Sequence, residues 1–140
     1  MSLDLPELDA WASGFPLTLL HVAVALVILI GGAAVYALVT PHREIQLIRE
    51  GNAAAALSFG GVLVGIALPL AFALAASTSV IEIVLWGVTT IVVQLALFWL
   101  VDLVLRGLPQ RIRQGEIAAA ALLVAAKLAV AAILAAAVSG

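Results

Sequence analysis

Lys127 is the residue with the strongest potential for chemistry, because it lies in the middle of an otherwise uncharged stretch, residues 117–138. It is about 10 residues from either end, which is roughly 15 Å along a helix and close to the middle of a bilayer. An ammonium at that depth costs about 3 kcal/mol on insertion scales. Gln94, with Thr90 one turn away, falls at a similar depth in the preceding apolar stretch. We therefore expect a polar cluster of Lys127, Gln94 and Thr90 at the membrane midplane, serving either as a structural clamp or as a substrate or proton site.

Other groupings of reactive side chains do not occur in the sequence. There is no cysteine, which excludes disulfides and thiolate chemistry. His21 and His42 are expected on opposite sides of the membrane and so cannot share a metal. No nucleophile–base pair, glycine-rich phosphate loop or carboxylate pair is visible. We therefore expect no enzymatic activity, no cofactor and no metal. The net charge of -2 gives no indication of a nucleic-acid partner.

The composition indicates what surrounds this lysine. Hydrophobic residues make up 66% of the 140 residues, and charged residues only 10%; in soluble domains the charged share is about 25%. A soluble fold of this size could not bury so much apolar surface. Four apolar runs are each long enough to cross a bilayer as a helix: 16–39, 53–76, 80–105 and 117–138. The sequence thus predicts an all-α membrane protein with four transmembrane helices.

The arginines indicate the orientation of these helices. All five arginines outside the predicted spans lie in the first and third connections: Arg43, Arg49, Arg106, Arg111 and Arg113. The second connection is uncharged, and the N-terminal segment is acidic. The positive-inside rule then places both arginine-bearing hairpins in the cytoplasm and both termini outside. The expected organisation is an acidic extracytoplasmic segment (1–15) followed by two two-helix units (16–76 and 77–140).

The two arginine-bearing connections contain an internal repeat. Residues 48–51 read Ile-Arg-Glu-Gly and residues 112–115 read Ile-Arg-Gln-Gly, each directly before an apolar run. A glycine just past a helix is a common helix terminator. We expect Arg49 with Gly51, and Arg113 with Gly115, to form equivalent turns. A two-helix unit repeated in tandem keeps its orientation, so the halves would be related by a pseudo-two-fold axis along the membrane normal.

Small residues predict where the helices pack. Gly61 and Gly65 form a Gly-x-x-x-Gly pattern, which lets helix backbones approach closely in lipid. Ala121, Ala125 and Ala129 share one face of the fourth run. We expect both small faces to pack within one chain, with a homo-oligomer contact as the alternative.

A carboxylate near the end of the third run is expected to have a local partner. Asp102 lies four residues before Arg106, the spacing at which side chains on a helix meet. We therefore expect an ion pair between them.

The chain resembles the bacterial inner-membrane family called domain of unknown function 350, over about residues 16–138. The residues that carry this resemblance are 40–44 (Thr-Pro-His-Arg-Glu), 48–56, Gly60-Gly61, Leu68-Pro69-Leu70, Leu85-Trp86-Gly87, Val93-Gln94-Leu95 and 112–116. It implies a four-span inner-membrane protein with a tandem two-span repeat and no established activity. Members are often encoded beside envelope-stress proteins of the phage-shock type and glutathionylspermidine-synthase-like enzymes, which implies an envelope-stress protein as a candidate peripheral partner. Lys127 departs from the family pattern, in which a small or neutral residue is expected.

These observations favour a non-enzymatic inner-membrane protein of structural or accessory type. Its basic cytoplasmic hairpins would contact anionic lipid headgroups or a peripheral partner. The alternative is a small oligomeric transporter or channel that uses the midplane polar residues. An accessory protein should satisfy its polar residues locally in a dry bundle, whereas a transporter should have a wet cavity that reaches them.

Overall fold

The computed structural model describes residues 5–41, 43–77 and 79–140, so predictions that involve Asp4, His42 or Thr78 lie outside the described residues. Within these ranges the chain is helical, with no β-strand. The helices are α1 (Pro6–Val39), α2 (Glu44–Arg49), α3 (Ala53–Ala76), α4 (Val80–Leu105), α5 (Leu108–Arg113) and α6 (Ile117–Ser139). Four of them, α1, α3, α4 and α6, are long and apolar enough to cross a membrane. The predicted all-α membrane protein with four transmembrane helices is confirmed.

Helix α1 begins earlier than the hydropathy indicates. The apolar run starts at Pro16, but the helix starts at Pro6. Proline suits the first turn of a helix, because the backbone N–H that it lacks would have no partner within the helix there. Its 34 residues span about 51 Å at the usual rise, more than the thickness of a hydrocarbon core. Trp11 and Phe15 stack in this extension at 4.8 Å between ring centroids, as aromatic side chains do at a membrane interface. The first segment is therefore helical from residue 6.

Helix α3 is the centre of the bundle. It contacts each of the other three long helices and packs most extensively against α6. Helix α1 packs against α3 and α4, and α4 also packs against α6. The helices α3 and α4 thus lie between α1 and α6, and any direct link between α1 and α6 must pass through the bundle interior.

Glycines lie where these helices approach most closely. A Cβ atom on Gly61 would be 2.7 Å from Val124 of α6, and one on Gly65 would be 2.8 Å from Gln94 of α4. A Cβ on Gly32 or Gly87 would be equally crowded, at 2.6 Å from a side chain across the α1–α4 contact. These distances are shorter than real Cβ atoms show, so the helices can lie this close only because these positions are glycine.

The alanine face of α6 does not pack inside the chain. Ala121, Ala125 and Ala129 are exposed, whereas Leu123 and Lys127 on the other side of the helix are buried. The prediction that this alanine face packs within the monomer is therefore wrong. The physical reason is the lysine: an ammonium in an apolar solvent requires polar partners, so its face of the helix turns inward.

Replacing Gly61 by leucine should destabilise the bundle by about 1–3 kcal/mol or more, because the side chain would overlap Val124. The measurement is thermal unfolding in mild detergent. Gly60 is the matched control, since a Cβ there meets nothing within 4 Å. Gly60→Leu should leave the unfolding temperature unchanged or raise it, because leucine is the better helix former. Equal destabilisation by both variants would contradict the assigned packing.

Candidate functional site: a buried lysine and an arginine-rich turn face

Lys127 is completely buried, and its side chain crosses the bundle to α1. Its Nζ donates a hydrogen bond to the hydroxyl of Tyr36, which is also completely buried. The same nitrogen lies 3.9 Å from the centroid of the tyrosine ring. A desolvated cation over an aromatic ring is stabilised by about 2 kcal/mol. This lysine–tyrosine pair therefore supplies the polar partner that an ammonium in the membrane interior needs, and it connects α6 directly to α1.

A carboxylate lies between this pair and the end of the bundle. Glu44, the first residue of α2, is completely buried, and Ser58 of α3 donates a hydrogen bond of 3.1 Å to its Oε1. The charge of Glu44 is within electrostatic range of both Lys127 and Tyr36. The buried polar group thus consists of an amine, a phenol, a hydroxyl and a carboxylate from four different helices.

Gln94 and Thr90 are buried near Lys127 but do not bind its amine. The Gln94 Nε2 donates to the backbone carbonyls of Gly65 (3.3 Å) and Lys127 (3.4 Å). The Thr90 hydroxyl donates to the carbonyl of Trp86 in its own helix, at 2.8 Å. The three residues of the predicted cluster are all buried, but the amine binds Tyr36, which the prediction did not include, and Gln94 binds the backbones of the two helices on either side of it.

Tyr36 and Glu44 are the residues that the sequence interpretation missed. A signal for each was present. Tyr36 is the one tyrosine of the chain and lies in an uncharged apolar run. Glu44 belongs to the polar motif that follows that run. Neither signal indicates a contact with Lys127, since that contact joins residues 91 positions apart.

The two predicted turns have the same backbone geometry. Gly51 and Gly115 both have positive φ, at 85° and 78°. The N–H of each donates to a carbonyl three residues earlier, Ile48 and Ile112, at 3.0 Å in both cases. A positive φ suits glycine, which has no Cβ to clash with the backbone. The next N–H, in residues 52 and 116, donates to the carbonyl five residues earlier in both turns, at 2.9 and 3.0 Å.

Asn52 joins the two turns. Its side-chain oxygen caps α3 by accepting the N–H of Ala55 at 2.9 Å. Its Nδ2 donates to the carbonyls of Ile112 (2.9 Å) and Arg113 (3.1 Å). The Arg113 guanidinium donates in turn to the carbonyl of Pro41. The short helices α2 and α5, with residues 50–52 and 114–116, therefore form one connected surface, called the turn face below.

The charges at the ends of α4 and α5 pair differently from the prediction. Asp102 accepts the backbone N–H of Leu108 at 2.8 Å, and this N–H at the start of α5 has no partner within its own helix. The predicted Asp102–Arg106 ion pair is therefore wrong, and Arg106 is exposed. Arg111 instead pairs with Glu116 at 3.1 Å. The arginines at positions 43, 49 and 113 are also exposed at this end.

Binding sites for metals or for ligands near Lys127 have little support. Among the described residues, no group of three or more His, Asp or Glu side chains could hold a metal ion. Five surface cavities have volumes of about 160 to 380 Å³. Their linings do not include Lys127, Gln94 or Thr90.

Four membrane-spanning helices around a buried lysine, with an arginine-bearing surface at one end, define a small multi-pass α-helical membrane protein. The chain belongs to the family described as Domain of Unknown Function (DUF350), whose profile matches residues 10–138. It is 37% identical over 91 residues to the UPF0719 inner membrane protein YjfL of Escherichia coli K12, covering 65% of this chain and 67% of that protein. The YjfL protein of E. coli O157:H7 gives the same values. No solved structure matches the chain.

The comparisons confirm the family resemblance that the polar and glycine motifs indicated. Together, the relatives' name and the four apolar helices support an inner-membrane, multi-pass protein.

Lys127→Met should destabilise the protein by about 1–2 kcal/mol, because it leaves the Tyr36 hydroxyl buried without its hydrogen-bond partner. Tyr36→Phe should cost about 1 kcal/mol, since the ring remains and only the hydroxyl is lost. The double variant should cost at least about 0.5 kcal/mol less than the sum of the two. Reversible unfolding in mixed micelles measures all three. Strictly additive losses would contradict the lysine–tyrosine contact.

Proposed function

We propose that this protein is a non-enzymatic, structural or accessory protein of the bacterial inner membrane, whose turn face meets anionic lipid headgroups or a peripheral partner. The observation that carries the proposal is the connection between the two turns through Asn52 and Arg113. This connection joins the two arginine-bearing hairpins at one end of the bundle, where Arg43, Arg49, Arg106 and Arg113 are exposed. Each such arginine contributes about 1 kcal/mol of attraction to an anionic leaflet.

We place the turn face in the cytoplasm and both termini outside. The exposed arginines at this end support the placement, because basic residues close to transmembrane helices are retained on the cytoplasmic side. The opposite end carries Glu7, Asp9 and Glu82 and no basic residue in the described part of the chain.

We also propose that the chain is a tandem repeat in which α2–α3 corresponds to α5–α6. The matching φ angles and hydrogen bonds of the turns at Gly51 and Gly115 support it. The extensive contact between α3 and α6 is the one expected for equivalent helices beside a pseudo-two-fold axis along the membrane normal.

In this proposal the buried lysine is a structural clamp. Lys127 has its partner in Tyr36, and Gln94 binds backbone carbonyls on either side. These donors link helices within the bundle, whereas the Gln94 Oε1 is buried and accepts no hydrogen bond from the described residues. Of the buried polar side chains, Glu44 lines one of the five cavities, and Lys127, Gln94 and Thr90 line none of the five.

A small oligomeric transporter or channel is the second candidate, and one observation favours it. Glu44 and Ser58 extend the buried polar group from Lys127 towards the turn face, as one half of a pathway would. The other half would have to come from a second copy, for which the exposed alanines of α6 offer a close-packing face. In that case Lys127→Met would abolish transport by reconstituted protein.

An envelope-stress protein is the candidate peripheral partner of the turn face. This part of the proposal rests on the gene neighbourhoods that the family resemblance implies. An exposed basic surface at the membrane is compatible with such a partner.

The orientation is tested by cysteine labelling on intact cells. Ala76 lies exposed at the end of α3, and Gln114 lies exposed in the second turn. The chain has no cysteine of its own, so each single variant carries one label site. An impermeant maleimide should label Ala76→Cys but not Gln114→Cys until the membrane is opened. The reverse pattern would place the turn face outside.

The lipid preference is tested with brominated lipids that quench a single tryptophan. Trp99 lies near the turn-face end of α4 and is 49% exposed, so Trp11→Phe with Trp86→Phe leaves one reporter there. Brominated phosphatidylglycerol should quench the Trp99 fluorescence about fivefold more effectively than brominated phosphatidylcholine, because a binding preference of about 1 kcal/mol for the anionic lipid corresponds to that ratio. Changing Glu7 and Asp9 to their amides at the other end is the control and should change nothing. Equal quenching by both lipids would contradict the proposal.

A further inference from the structure

An apolar groove runs along the side of the bundle near the turn face. Two cavities, of about 380 and 340 Å³, share Ala34, Ala37 and Ile45 in their linings and so form one continuous depression. Small side chains on α1 form its floor, and Phe59 of α3 lies at its other side. We call this depression the α1–α2 groove. It opens sideways, to the region that lipid chains occupy around a membrane protein.

The groove continues into a polar pocket. A third cavity, of about 360 Å³, is lined by Arg43, Gln46, Glu50 and Arg113, together with Leu47. Arg43 and Gln46 line both this pocket and the α1–α2 groove. The combined shape is therefore amphipathic: a charged end at the turn face and an apolar end that leads towards the membrane interior.

We propose that the pocket and the α1–α2 groove together bind one anionic glycerophospholipid of phosphatidylglycerol type. Its phosphate would lie between Arg43 and Arg113, and one acyl chain would lie in the groove. The proposal rests on the proposed function, because it requires the turn face to lie against a lipid leaflet. Arg43 and Arg113 are the cationic side chains of the pocket, and the carboxylates of the site are Glu50 in the pocket and Glu44 in the lining of the groove.

The pocket is held in place by contacts inside the turn face. The Arg113 side chain donates to the carbonyl of Pro41, and the Arg113 carbonyl accepts from Asn52. Gln46 donates to Glu50 at 3.0 Å, which fixes this carboxylate at the edge of the pocket. A guanidinium is well suited to phosphate because it donates several hydrogen bonds in one plane. Arg113 and Glu50 are therefore held in position before a lipid arrives.

Arg49 and Arg106 distinguish a site from general attraction. Both are exposed at the same end of the bundle, yet they do not line the pocket or the groove. General attraction to an anionic leaflet depends on the number of positive charges. Loss of Arg49 and Arg106 should therefore weaken it as much as loss of Arg43 and Arg113. A built site should depend on Arg43 and Arg113 alone.

The test uses the full-length protein in nanodiscs of mixed phosphatidylglycerol and phosphatidylcholine. Native mass spectrometry counts the lipids that remain bound, and brominated phosphatidylglycerol with Trp99 as reporter gives the overall preference. Arg43→Gln with Arg113→Gln should lower retention of the one phosphatidylglycerol by about tenfold, whereas Arg49→Gln with Arg106→Gln should lower it less than about twofold. The bond from Asn52 survives in these variants, because it uses the backbone of residue 113.

A second arm fills the groove without changing any charge. Ala34→Trp places an indole in the groove and should also displace the lipid, while Ala125→Trp on the exposed face of α6 is the matched control.

Glu50→Gln identifies the headgroup. It should strengthen phosphatidylglycerol binding by removing a negative charge. If it weakens lipid retention instead, the occupant carries an ammonium against Glu50 and the phosphatidylglycerol assignment is overturned.

The outcomes separate the site from the proposed function. Equal losses in the two arginine pairs would overturn the site and leave the basic turn face in place. No preference for phosphatidylglycerol in the unaltered protein would overturn both. Retention that Ala34→Trp does not lower, or that soluble glycerol phosphate abolishes at millimolar concentration, would show that the headgroup alone is held and would overturn the groove.

Discussion

The ammonium of Lys127 is the constraint on which the arrangement of the bundle depends. A charge in an apolar solvent is stable only beside polar groups or π-electrons. Its partner, Tyr36, is in the one long helix that α3 and α4 separate from α6, so the contact crosses the whole bundle. The contact fixes the rotation of both outer helices. It explains why α6 directs its lysine inward and leaves Ala125 and its neighbours exposed.

Close packing supports this contact from both sides. Lipid provides no hydrophobic force between helices, so they associate through dense contacts and hydrogen bonds. Gly61 and Gly65 place α3 against α6 and α4, and the space at Gly65 is filled by the Gln94 amide. The amide binds carbonyls of both neighbours. Gln94, which by its sequence position could belong to a transport site, thus links α4 to α3 and α6. For this reason we propose a structural role for it.

The turn face makes one surface out of two hairpins. Backbone carbonyls of each hairpin accept side-chain hydrogen bonds from the other, from Asn52 in one direction and from Arg113 in the other. Two of the arginines at this end have side-chain contacts: Arg113 with the carbonyl of Pro41 and Arg111 with Glu116.

The sequence by itself determined the number of membrane-spanning helices, the family and the turns. A bilayer requires about 20 apolar residues per helix, a glycine with positive φ ends each short helix, and Asn52 caps the next one; all of these are local properties. The start of α1 was not determined, because hydropathy reports the lipid-buried part of a helix and not its polar extension. Only the tertiary structure decided the partner of Lys127, the contact of Asp102 and the exposed face of α6. Each of these depends on the rotation of one helix relative to another, and many rotations satisfy the same apolar pattern until a buried charge selects one.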